Sequence, residues 1–127
     1  MKKQFLIDQY NLFEKTTTFM YRPPEMCDPY SKYIVNHKAD IWMLGCILYT
    51  IMFKKHPFLE AQKLAIINAY YNFPEIHQFS DKILDLIRLM LTPDPSNRPD
   101  INFVLNILEN WSSITSIELP VLLLFLN

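Results

Sequence analysis

The chain has 127 residues, with 12 Lys+Arg against 13 Asp+Glu, and a formal net charge of −1. Half of the residues are hydrophobic and a fifth are charged, which argues against disorder and leaves no electrostatic footprint for nucleic acid or an anionic membrane. Average usage would give roughly nine glycines in such a length; the chain has one, Gly45, so it holds no glycine-rich phosphate loop.

The length allows one domain or one piece of a larger one. The apolar start stops at Asp8, short of a signal peptide. Residues 1–37 read as a loop region, with Thr16-Thr17-Thr18, Pro23-Pro24 and Pro29 among scattered aromatics. Proline suppresses helix, and a loop of this length inside a domain is usually functional. From Lys38 the character changes. Ile41 to Phe53 is almost unbroken apolar sequence of helical length, too short to span lipid and without a polar face. It predicts a central helix enclosed on all sides, with Asp40 in its first turn bonding free backbone N–H groups.

His56-Pro57 marks a turn, followed by a weaker helix from Glu60 to about Tyr70. Asp81 to Leu91 is the cleanest amphipathic stretch. Ser80 is placed to cap it, Asp81, Lys82, Asp85 and Arg88 form its polar face, and Ile83, Leu84, Leu86, Ile87, Met90 and Leu91 its apolar one. Thr92 to Asp100 is a proline-fixed turn, after which Asp100 caps a last helix whose stripe is Ile101, Val104, Leu105, Leu108 and Trp111. The organisation is then 1–37 loop, 38–111 helical core and 112–127 an unassigned apolar tail. The fold class is all-α, with no room for an independent sheet. Cys27 and Cys46 read as reduced thiols, and His37, His56 and His77 are too scattered for a metal site. These features suggest a cytoplasmic chain without a membrane span.

Three segments stand in a telling order. Tyr21-Arg22-Pro23-Pro24-Glu25-Met26 resembles the end of a protein-kinase activation segment, with Pro23 where alanine is usual. Asp40-Ile41-Trp42-Met43-Leu44-Gly45 resembles the opening of the large central helix of a kinase C-terminal lobe, and Asn97-Arg98-Pro99 its arginine turn. In finer detail, Thr17-Thr18-x-x-Tyr21-Arg22 and Met90-Leu91-Thr92-Pro93-Asp94-Pro95-x-x-Arg98-Pro99 are similar to the numb-associated kinase family of serine/threonine kinases.

The resemblance implies a helical C-terminal lobe that starts inside the activation segment, without an N-terminal lobe. It implies a buried pair between Glu25 and Arg98, and an Asp40 that would hold a catalytic loop. Thr18 and Tyr21 would border the substrate groove, Thr16 or Thr17 would be a phosphosite near Arg22, and Trp42 and Gly45 would serve packing. No residue here takes a catalytic role, because His-Arg-Asp, Asp-Phe-Gly, the strand lysine and the glycine loop are all missing from the sequence. ATP and magnesium are expected only for an intact family member. The partner would be a protein substrate or docking partner, such as the clathrin-adaptor subunits that several family members phosphorylate. Two readings follow: part of a serine/threonine kinase, or a non-catalytic helical interaction module derived from one.

Overall fold

The structure is a computed structural model that describes residues 3, 4, 7, 8, 11, 19–28, 30–59 and 63–109. Thr16, Thr17, Thr18, Trp111 and the apolar tail lie outside these residues. Among the described residues there are only helices, turns and loops, without a strand. The α-helices are α1 (Pro24–Cys27), α2 (Lys38–Phe53), α3 (Lys63–Ile67), α4 (Asp81–Met90) and α5 (Ile101–Glu109). Short 3-10 turns at Phe19–Tyr21 and Pro95–Asn97 both pack on α2.

Helix α2 organises the rest. It packs along α4, while α1 packs on α3. The core gathers Trp42, Cys46, Leu48 and Tyr49 from α2, the whole apolar face of α4, and Val104 and Leu108 from α5. Gly45 sits where α2 and α4 come closest. A Cβ there would lie 3.0 Å from Met90 Cβ and 3.1 Å from Leu91 Cδ2, so the missing side chain sets the approach. Along α4 and its C-cap, Asp81, Lys82, Asp85 and Arg88 are exposed and Ile83, Leu84, Leu86, Ile87, Met90 and Leu91 are buried, as the 3.6-residue period requires, while Leu89 is 40% exposed.

The enclosed central helix needs correction. Ile47 and Ile51 are 44% and 42% exposed, Asp40 and Lys54 are exposed, and Met43 and Leu44 are half-buried. These positions recur at three- and four-residue spacing, so they form one outward strip along α2. Apolar sequence all round a helix reports what the fold can bury, not what these residues bury.

Smaller departures have local causes. The region read as loop before Lys38 contains α1, and residues 3, 4, 7, 8 and 11 are helical, with Gln4 Nε2 donating to Asp8 Oδ1 at 2.9 Å. The cap of α2 comes from Asn36, whose Oδ1 accepts the Lys38 N–H at 2.9 Å, rather than from Asp40. Ser80 occupies the cap position of α4 in extended geometry but makes no side-chain cap bond. Helix α3 stops at Ile67, and two residues on Ala69 turns left-handed at φ 53°. On α5 Ile101 is exposed, and Val104 and Leu108 carry the burial, while Asp100 Oδ1 accepts the Phe103 N–H at 2.8 Å.

Candidate functional site

The local sequence around Glu25 explains how an acid comes to be buried. Pro23 is extended at φ −68° and ψ 165°, and Pro24 occupies the first turn of α1, where a missing N–H costs nothing. Both prolines are buried and rigid, so the chain delivers Glu25 into the core in the first turn of α1 with only 3% exposure. There it meets Arg98, itself 2% exposed and fixed by the proline-rich turn.

The two side chains form a fork. Arg98 Nη1 donates to Glu25 Oε1 at 2.7 Å and Nη2 to Oε2 at 2.8 Å. The remaining donor capacity goes to carbonyls: Nε to Thr92 at 2.7 Å, Nη1 to Lys38 at 2.8 Å and Nη2 to Pro93 at 2.9 Å. A guanidinium has five N–H donors, and these bonds engage its whole edge. Lys38 closes the arrangement by donating its ammonium to the Arg98 carbonyl at 2.5 Å. One cation thus ties together the Glu25 segment, the start of α2 and the turn before α5. Arginine suits the place because its planar fork matches a carboxylate and still reaches backbone oxygens.

A second grip holds the other end of the same segment. The half-buried Tyr21 ring meets His56 edge to face at 4.5 Å. His56 is buried, its Nδ1 accepts the Phe58 N–H at 3.0 Å, and burial lowers its pKa below the usual histidine value. Phe58 stacks on Trp42 at 5.5 Å, and the Arg98 guanidinium lies 5.3 Å over the Trp42 ring. The contacts therefore run Tyr21, His56, Phe58, Trp42, Arg98, Glu25 and return to the segment where they began.

Of the expected site residues, the structure joins Glu25 to Arg98, sets fully buried Trp42 beneath both grips, and places Gly45 against α4. Tyr21 reaches this assembly through His56, whereas Asp40 stands apart on the outward strip of α2. Sequence reasoning treated His56 as a turn residue and left Asn36 and Lys38 without a role. The His-Pro-Phe spacing that lets Nδ1 cap the second following N–H was the available signal. Burial pushes the thiols of Cys27 and Cys46 up to about 11 and about 12, so both stay protonated and unreactive at neutral pH.

The only glycine is buried inside a helix, and no three His, Cys, Asp or Glu side chains gather into a possible metal site among the described residues. No described helix is long and apolar enough to cross a membrane.

An all-α lobe whose central helix carries an Asp-x-Trp-x-x-Gly start, with a Pro-Pro-Glu segment forked onto a distant arginine, defines the C-terminal lobe of a protein kinase. The protein kinase domain model matches residues 4–108, and the chain belongs to that family. It is 44% identical over 97 residues to a "Probable serine/threonine-protein kinase" of Dictyostelium discoideum, covering 74% of this chain and 9% of that protein. The actin-regulating kinase PRK1 of Saccharomyces cerevisiae is 41% identical over 103 residues, which are 81% of this chain and 13% of that protein. The serine/threonine-protein kinase AKL1 of the same yeast is 38% identical over 105 residues, 83% of this chain and 9% of its own length. The chain therefore spans between 9% and 13% of these relatives.

Proposed function

We propose that this chain is the activation-segment anchor and substrate-side platform of a serine/threonine kinase of the numb-associated type. In an intact member the lobe would present a protein substrate to ATP-dependent phosphoryl transfer, with ATP and magnesium held by parts this sequence lacks. The observation that carries the reading is the buried Glu25–Arg98 fork, because a charge pair this costly to desolvate fixes geometry rather than adding net stability. The likeness to PRK1 and AKL1 supports the branch. Thr18 and Tyr21 would border the groove and Thr16 or Thr17 take a regulatory phosphate, in a cytoplasmic setting.

The test has two arms. The purified chain should show no thermal shift with ATP–magnesium and no phosphate transfer to a threonine peptide; measurable transfer refutes the division of labour. Genomic sequence upstream of the Met1 codon should encode, in frame, His-Arg-Asp and Asp-Phe-Gly. Their absence, with a partner retained by the chain, favours the second reading, a non-catalytic interaction module. The exposed apolar strip of Ile47 and Ile51 speaks for that reading.

A further inference from the structure

We propose that the trough between the C-terminal end of α2 and α4 docks an acidic, extended peptide segment of a partner protein. Two adjoining open cavities, of about 400 and 460 Å³, share Tyr71 and Asn72 in their walls. Lys55 and Tyr70 line one end, and Tyr70 is 71% exposed. Phe73 and Arg88 line the other, with the guanidinium 5.0 Å over the Phe73 ring.

The chemistry of the walls selects the occupant. A chain of net charge −1 places two cations here and no carboxylate in either lining. Arg88 does pair with Asp85, but their side chains are 54% and 68% exposed, and water screens such a pair. The floor is fixed by rings: Tyr49 lies 6.2 Å from Tyr71 and 5.8 Å from Phe73, and Tyr71 lies 5.6 Å from Phe73. The Tyr49 hydroxyl donates to the Asn72 backbone carbonyl at 2.5 Å, which fixes the backbone of exposed Asn72 where the two cavities adjoin. Burial pushes the Tyr71 hydroxyl up to about 12, so the floor adds no negative charge at neutral pH. Carboxylates at both ends of a short segment would meet Lys55 and Arg88, an apolar residue between them would lie on the rings, and its backbone would bond Asn72.

This docking goes beyond the kinase reading and can fail separately from it. The trough adjoins the far end of α2 from Lys38, and a helix of 16 residues spans about 24 Å. The probe is a short fluorescent peptide with leucine between two Asp-Glu pairs, titrated into the full chain and read by anisotropy. Matched peptides carrying lysine or asparagine in place of the acids are the comparisons. The acidic peptide should bind saturably, and more weakly as salt rises. The double change Lys55→Glu, Arg88→Glu should weaken it at least about tenfold. Tyr70→Ser should weaken it too, and Lys32→Glu should leave it unchanged. Tyr70 is a surface residue, so that variant keeps the test decisive if the double variant misfolds. No saturable binding, equal binding of the basic or neutral peptide, or competition by a second copy of the chain overturns the proposal.

Discussion

Replacing Arg98 by alanine removes one guanidinium but strands several groups at once. The Glu25 carboxylate, 3% exposed, loses both of its fork donors, and the carbonyls of Lys38, Thr92 and Pro93 lose theirs. Breaking a buried ion pair from one side costs about 3–5 kcal/mol, because the remaining charge cannot return to water. A domain of this size has about 5–15 kcal/mol in all. At about 3–6 °C per kcal/mol for a chain of this length, the melting temperature should fall by at least about 9 °C. Arg88→Ala is the control. It loses an exposed pair with Asp85 and a surface contact with Phe73, together worth less than about 1.5 kcal/mol. Arg98→Lys should lie between, since a point charge keeps some attraction but no fork. The double variant Glu25→Leu, Arg98→Met should be more stable than Arg98→Ala, because neither charge is then stranded. Calorimetry on the four variants checks this. Small and equal shifts for Arg98→Ala and Arg88→Ala, or a double variant no more stable than Arg98→Ala, would refute the fork as the anchor.

Other outcomes follow from single contacts. Burial lowers the His56 pKa, so its folded form resists protonation; the stability it contributes is complete above the unfolded value of about 6.5 and is lost as pH falls below it. His56→Asn, which can still accept the Phe58 N–H, should flatten that part of the stability–pH curve; an unchanged slope contradicts this. The strip of Ile47 and Ile51 should make the chain bind hydrophobic dyes and self-associate, and Ile47→Glu with Ile51→Lys should reduce both with little change in melting temperature. Gly45→Ala should destabilise by about 1 kcal/mol, as a clash with Met90 Cβ outweighs the helix propensity gained. Lys54 closes α2 in the left-handed region at φ 60°, so Lys54→Gly should raise stability by about 0.5–1 kcal/mol in thermal unfolding.

What the sequence made legible was periodic or motif-like. The α4 faces followed from spacing alone, and the Glu25–Arg98 meeting, across 73 residues, from the resemblance. What it hid was of another kind. The left-handed turns at Lys54 and Ala69 carry no glycine to announce them, and the Asn36 cap lies before a residue, His37, that itself looks helical. The strip on α2 was misread because hydrophobicity records affinity for burial, whereas exposure depends on what else is present to pack. The trough lined by Lys55 and Arg88 joins residues from separate elements, and no local pattern predicts such a meeting.

The two grips on residues 21–25 differ in strength, and the difference has a direction. At Glu25 a charged fork is engaged on every side; at Tyr21 the hold is an edge-to-face ring contact with His56, a type worth about 0.5–1.5 kcal/mol. Local opening starts where the restoring energy is smallest. The segment should therefore loosen from Tyr21 while Glu25 stays seated, and hydrogen exchange should be faster at the Tyr21 amide than at the Met26 amide, which bonds Pro23 at 3.0 Å. An anchor of this polarity lets the end proposed to face a substrate adjust without unseating the lobe. If both amides exchanged together at the rate of global unfolding, the segment would be uniformly rigid, and the second grip would have no separate role.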